Sequence, residues 1–231
     1  MRLDKFVSHA TGLPRDHARR AIRNKRVFVN ELLVTDAARH ITTAARIMLD
    51  GAPLRLIGPR YLMLHKPPGH VCATTDSDHP TVLDLIDDQD TEGLSIAGRL
   101  DIDTTGLVLL SDDGQWLHRV TSPRHRHSKV YQALLQEPLD QVTIDRFASG
   151  IMLHGESRAT LPAQCRALDG QWAEVTISEG RYHQVKRMFA ACGNHVVALH
   201  RRQIGDILLD EQLQPGAYRP LTDEEIAGFL A

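Results

Sequence analysis

Two Pro/Gly breaks, Gly51-Ala52-Pro53 and Gly58-Pro59, lie close together in the first third of this 231-residue chain. Little periodicity separates them, so residues 51–60 are expected to form a short linker. The linker divides the chain into a head, residues 1–58, and a body, residues 59–231. A core drawn from fewer than sixty residues is marginal by itself, while the body is long enough for one ordinary domain. The formal net charge of −2 hides a second division at the same place. The head has 11 Lys/Arg against 5 Asp/Glu, and the body has 16 against 24. A basic head on an acidic body points to a polyanionic partner for the head.

In the head, Leu3, Phe6 and Val7 recur at helical spacing. Pro14 opens a second helix over residues 15–23, in which Ala18, Ala21 and Ile22 form the buried stripe. Arg15, Arg19, Arg20 and Arg23 are left on its other side. Short strand-like runs follow at 27–29, 32–34 and 47–49, separated by turn-forming Asn30 and Asp50. Arg2-Leu3-Asp4-Lys5-Phe6, Gly12, Arg15, Ile22, Val27-Phe28-Val29-Asn30 and Val34 resemble the S4-type RNA-binding domain. The resemblance implies that Arg2, Lys5, Arg15, Arg19, Arg20 and Arg23 face RNA phosphates, where such contacts dominate affinity and make it salt-dependent.

The body mixes strands and helices without a βαβ rhythm, so its class is α+β. Strands are expected at 60–66, stopped by Pro67-Pro68-Gly69, and at 107–110, 130–135 and 172–177. Helices are expected at 114–121, 140–149, 181–192 and 222–230. In the third, Val185, Met188, Phe189 and Cys192 share one face, and Gly193 supplies a C-cap.

The most unusual string is Gly98-Arg99-Leu100-Asp101-Ile102-Asp103-Thr104-Thr105-Gly106-Leu107. Small polar residues between apolar runs mark a tight loop at the mouth of a sheet, a common seat for functional groups. Asp101, Asp103, Thr105, Gly106 and Asp112 match the spacing of a calcium-binding helix–loop–helix. Strand signals on the flanks and an Asp at the last position argue against that reading. The string resembles the catalytic motif of bacterial ribosomal pseudouridine synthases of the small-subunit type. Leu64-His65-Lys66-Pro67-Pro68-Gly69, Lys129-Val130-Tyr131 and Glu179-Gly180-Arg181-Tyr182-His183-Gln184-Val185-Lys186-Arg187-Met188-Phe189 extend the likeness in order, over nearly the whole chain.

That resemblance implies a mixed, largely antiparallel catalytic domain preceded by the S4-like head. It makes Asp101 the essential carboxylate, acting covalently at C1′ of a uridine or as base for its 2′ proton. Lys186 is implied as the cation that keeps Asp101 charged, with Arg99 and Arg187 as neighbours able to share that work. Tyr131 is implied to stack on the target base, and Asp103, Thr104 and Thr105 to shape the loop. No cofactor and no metal are implied. The expected substrate is a uridine of 16S ribosomal RNA, of the uridine 516 type, free or within a partly assembled small subunit. A 23S uridine and a non-catalytic role in ribosome assembly are the alternatives.

Two further basic stretches, 118–129 and 181–202, are candidates for holding RNA beside the site. His125-Arg126-His127 lacks a third spaced ligand for a metal. Cys72, Cys165 and Cys192 are scattered and odd in number, as in reduced cytoplasmic proteins. No apolar run is long enough to span a bilayer, and Met1–Phe6 has no secretory pattern. A cytoplasmic monomer is expected.

Overall fold

The computed structural model describes residues 1–42, 45–54, 58–86, 91 and 93–230. They fall into two compact units, Met1–Gly58 and Pro59–Ala231.

In the first unit, α1 (Leu3–Thr11) and α2 (Arg15–Arg23) pack on a four-stranded sheet of order β2-β1-β3-β4. The strands are β1 (Val27–Val29), β2 (Leu32–Leu33), β3 (Ile47–Leu49) and β4 (Ala52–Leu54). Leu3, Val7, Ala18, Ile22, Val27 and Ile47 fill the core. Two hairpin turns hold the sheet: Asn30-Glu31, at φ 48° and 67°, and Asp50-Gly51, at φ 51° and 83°. Paired positive φ angles match the right-handed twist of the strands they join. The expected linker therefore begins too early. Asp50-Gly51 is a hairpin turn, and Ala52–Leu54 pairs with β3 with Pro53 opposite Met48. β4 is an edge strand, where proline's missing N–H costs nothing. Of the remaining linker positions, 55–57 lie outside the described residues.

The second unit is α+β, built on a nine-stranded sheet with the main order β13-β5-β7-β11-β8-β10-β9. Its strands are β5 (Tyr61–Lys66), β6 (Ser95–Ala97), β7 (Thr105–Ser111), β8 (Lys129–Leu135), β9 (Gln164–Ala167), β10 (Trp172–Ile177), β11 (Val196–Ile204), β12 (Ile207–Leu208) and β13 (Tyr218–Pro220). β6 pairs with β7 and β12 with β11. Among the described residues, every pairing between these strands is antiparallel except β7 with β11.

The centre of this sheet is buried on both faces. Val108 and Leu110 of β7 enter one core cluster, and Leu107 and Leu109 enter the other. That explains the unbroken apolar run, since only a strand covered on one side must alternate. On the first face lie α4 (Gln141–Ser149) and α5 (Gln184–Ala191), through Phe147, Val185, Met188 and Phe189. On the other lie α3 (Gly114–Thr121), through Trp116 and Val120, and Phe229, which follows α6 (Asp223–Ala227). Side chains set the helix starts: Asp113 accepts from the amides of Gln115 and Trp116, and Asp140 from that of Thr143.

Two expected helices are shorter than their periodicity implied. Residues 181–183 form a turn ahead of α5, in which the Arg181 amide donates to the Gln184 side chain at 2.9 Å and His183 is left-handed. The last expected helix is confined to Asp223–Ala227, opened by a capping box between Thr222 and Glu225.

Candidate active site

Asp101 sits in the loop between β6 and β7, and the loop is held from beneath by two buried cations. Lys66, at the end of β5, is fully buried. Its ammonium donates to the carbonyls of Thr104 at 2.8 Å, Pro67 at 3.1 Å and Ile102 at 3.2 Å. Burial pulls its pKa down, partly countered by the surrounding negative charge. Arg201 of β11, also buried, donates to the carbonyls of Leu107 at 2.8 Å and Gly98 at 3.1 Å. Leu100 fixes the loop from its own side by entering the core. The carboxylate is thus carried by a loop whose Gly98, Ile102 and Thr104 carbonyls accept from buried cations, a preorganised arrangement rather than a floppy one.

β7 and β11 approach so closely here that one position admits only glycine. A Cβ on Gly106, at φ 106°, would lie 2.3 Å from the Arg201 carbonyl oxygen. The approach brings Arg201 under the loop, and the parallel pairing is limited to Thr105 with His200 and Gly106 with Arg201.

The Asp101 side chain is one-quarter exposed. Its Oδ2 lies 3.0 Å from Lys186 Nζ and its Oδ1 3.3 Å from His183 Nε2. Lys186, on the first turn of α5, also reaches Asp103 at 2.6 Å. Burial alone would lower the Lys186 pKa, but its hydrogen bonds and attraction to Asp103 and Asp101 outweigh this and raise it. The same Lys186 hydrogen bond holds the Asp103 carboxyl below its usual range. A cation therefore sits between the two carboxylates of Asp101 and Asp103. The calcium geometry is not formed. Asp112 lies beyond the far end of β7, bonded to Arg60 at 2.9 Å, while Asp101 and Asp103 share an ammonium.

A cleft of about 950 Å³ opens over the loop, and Asp101, Arg99, Lys129, Tyr131 and Tyr182 line it. Tyr131 stands on β8 opposite Val175 and Arg201, with its ring in the core and at the cleft wall. Arg99 is exposed and has no ion pair among the described residues. Lys129 donates to the His127 carbonyl at 2.9 Å, and burial, aided by the nearby Arg201, lowers its pKa. A smaller hollow, of about 390 Å³, lies between Asp206 and α6. It is lined by Glu224 and Glu225 and repels a polyanion.

The expected basic surface at 181–202 does not form as a free patch. Arg181 is paired with Glu179 and Glu156, Arg187 with Glu156, and Arg202 with Glu211, while Arg201 is buried. Arg187 is thereby turned away from the role beside Asp101 that the sequence allowed it. In the head, Arg2, Arg15 and Arg19 converge on Asp4, which is fully buried, at 3.1, 3.2 and 3.0 Å. The hydrogen bond from Arg2 does most to hold the Asp4 carboxyl well below the usual carboxylate range, with Arg15 and Arg19 adding to it. Lys5, Arg20 and Arg23 are exposed without an ion pair among the described residues.

Three residues to which the sequence assigned no role at the site stand there. His183 touches Asp101 from a turn whose left-handed φ has no sequence signal for histidine. Arg201 reads as part of a basic surface and Lys66 as a strand end, because their partners are backbone carbonyls distant in sequence.

Comparison with known proteins follows the same division. A family model described as RNA pseudouridylate synthase matches residues 60–191, and one described as S4 domain matches residues 1–47. The chain is 54% identical over 232 residues to the ribosomal small subunit pseudouridine synthase A of Yersinia pestis, covering 100% of this chain and 99% of that protein. It is 54% identical over 231 residues to the protein of the same name from Escherichia coli K12, covering 100% of both. A solved structure described as a pseudouridylate synthase superposes with a TM-score of 0.72 at 47% identity, covering 99% of each chain.

Proposed function

The chain belongs to the RNA pseudouridylate synthase family, and from that premise we propose that it isomerises one uridine of small-subunit ribosomal RNA, of the uridine 516 type, to pseudouridine. The observation that carries this reading is the Lys186 ammonium 3.0 Å from Asp101, at a cleft walled by Tyr131.

The chemistry follows from what the reaction must do. The C1′–N1 bond breaks, the base turns over, and C1′ joins C5. The C5 proton leaves and N1 gains one, so atoms balance with no net electron transfer. A single ionised carboxylate suits this, either by attack on C1′ or by taking the 2′ proton. Lys186 holds that charge in place and Lys66 fixes the loop that carries it. Tyr131 offers an aromatic wall to a base that has lost its stacking partners in the RNA. Arg99 and Lys129 supply positive charge at the cleft for the phosphates on either side.

The head, residues 1–58, is the RNA-gripping part of this reading, with Lys5, Arg20 and Arg23 as its free cations. Arg2, Arg15 and Arg19 are held in register by Asp4 and keep an excess of positive charge over it. The enzyme works as a cytoplasmic monomer.

The test maps pseudouridines on both ribosomal RNAs by carbodiimide treatment and primer extension. Cells lacking the gene are compared with cells rescued by wild type or by Asp101→Asn. Loss of one 16S stop, restored only by wild type, supports enzyme, subunit and carboxylate together. Loss of a 23S stop moves the substrate to the large subunit. No lost stop on either RNA leaves an assembly role, and turnover by Asp101→Asn removes Asp101 from the chemistry.

A further inference from the structure

We propose that the stacked pair Tyr182–His183 is a platform for a nucleobase flanking the target uridine, holding the RNA strand single at the mouth of the cleft. This rests on the reading of the cleft as a uridine site and adds a second base-binding position to it.

Four observations point there. Tyr182 is 74% exposed although it lines the same cleft as Asp101, so its ring is not retained for packing. Its ring stacks on that of His183, with centroids 3.8 Å apart and planes at 19°. One face is covered by a partner and the ring is held flat, which leaves its other face for a ligand. His183 reaches this position only in a left-handed conformation, φ 47°, and makes no side-chain cap to α5 in return. A non-glycine residue held in this backbone region is characteristic of functional positions. The turn is also braced from behind. Arg187 donates to the carbonyls of Tyr182 at 3.0 Å and His154 at 2.8 Å, and Arg181 donates to those of Arg158 at 2.8 Å and Ala159 at 2.6 Å.

The chemistry of the ligand follows from this geometry. An exposed, flat, supported phenol ring recognises a π-face, and every nucleobase has one. His183 Nε2 is 3.3 Å from the Asp101 carboxylate, so the platform is tied to the reacting group through one side chain. A base on Tyr182 therefore sits next to the nucleotide that reaches Asp101. A stacked neighbour also helps to offset the cost of pulling the target base from its helix. Tyr182 is a positioning residue in this proposal and takes no part in bond making.

The test uses the full chain and a short ribosomal RNA fragment spanning the modified uridine, with 2-aminopurine substituted on its 5′ or 3′ side. Tyr182→Ala, Tyr182→Phe and Tyr182→Trp are compared with wild type for pseudouridine formation, KM, kcat and 2-aminopurine quenching on binding. One flanking 2-aminopurine is expected to be quenched by wild type, Tyr182→Phe and Tyr182→Trp, but not by Tyr182→Ala. KM for Tyr182→Ala is expected to rise roughly 5- to 100-fold, the loss of one base–aromatic stack, with kcat changed less. The salt dependence of binding should be unchanged, since no cation is lost.

Wild-type-like quenching and KM in Tyr182→Ala, with pseudouridine still formed, overturn the platform alone. A Tyr182→Phe variant as impaired as Tyr182→Ala overturns stacking in favour of the hydroxyl. Loss of modification in cells by Tyr182→Ala, with normal kinetics on the isolated fragment, overturns it in favour of a protein contact. If wild type forms no pseudouridine on any ribosomal RNA, the underlying reading fails first and the platform falls with it.

Discussion

Replacing Gly106 with alanine tests whether the close approach of β7 to β11 is what places the carboxylate. The new Cβ would meet Arg201 at 2.3 Å from its oxygen, 2.7 Å from its nitrogen and 2.9 Å from its carbonyl carbon, all of them backbone. Backbone in the middle of a sheet has no rotamer to yield, so the strands must part by about 1 Å to restore ordinary contact. That removes the short parallel pairing of Thr105–Gly106 with His200–Arg201, and alanine also resists φ 106°. Lost ladder bonds and backbone strain together cost about 2–4 kcal/mol. The same displacement carries Arg201 away from the carbonyls of Gly98 and Leu107 that it supports. A shift of about 1 Å in a reacting group costs on the order of 100-fold in rate. Urea unfolding followed through buried Trp116, and tritium release from RNA labelled at uridine C5, measure the two effects. Gly114→Ala is the control, with no heavy atom within 4 Å of its added Cβ. The reasoning is refuted if Gly106→Ala unfolds within about 0.5 kcal/mol of wild type and releases tritium at an undiminished rate.

Lys186→Gln removes the ammonium 3.0 Å from Asp101, and turnover should fall roughly 100-fold while Lys186→Arg retains most of it; single-turnover kinetics on the RNA decide. Arg20→Ala with Arg23→Ala removes two exposed cations of the head, and the slope of log Kd against log salt should flatten by about 1.4–1.8. An unchanged slope in a filter-binding titration assigns the phosphate contacts elsewhere. His200 is held neutral by burial, helped by repulsion from His65 and Arg202, with its pKa pushed down to about 4. Its folded pKa lies below the unfolded value of about 6.5, so the unfolded chain binds more protons between these values and stability falls as pH drops through that window. The loss should reach about 2–3 kcal/mol by pH 4, with His127, also lowered by burial, adding the same sign. Urea midpoints measured from pH 7 to pH 4 should show this slope, flattened in His200→Asn.

Much of the architecture was legible in the linear pattern because it depends on local spacing. The stripe Ala18, Ala21, Ile22 marked α2, and the alternation in 172–177 marked β10. Asn30 and Asp50 marked turns because their side chains tolerate positive φ. The errors share a cause. Ala52–Leu54 read as linker because a three-residue strand on a sheet edge carries no periodicity. Residues 181–183 read as helix because apolar spacing further along extended the pattern backwards over a turn. Arg181, Arg187 and Arg201 read as an RNA surface because charge is visible in a sequence and its neutralising partners are not.

For the site, the residue types were determined by the sequence: a carboxylate in a glycine-bounded loop, a lysine on an amphipathic helix, and a tyrosine on a buried strand. Their resemblance to one family's motifs carries the reaction class. Only the tertiary structure decided which groups meet. It chose Lys186 over Arg187 and Arg99 as the cation on Asp101, added His183, and buried Lys66 and Arg201 beneath the loop. The reason is one of range. Periodicity and turn chemistry act over a few residues and survive in a linear string, whereas ion pairs form through space, across 85 positions between Asp101 and Lys186. Arg187 is engaged by Glu156 and the His154 carbonyl instead, and such partners leave no trace in composition or period.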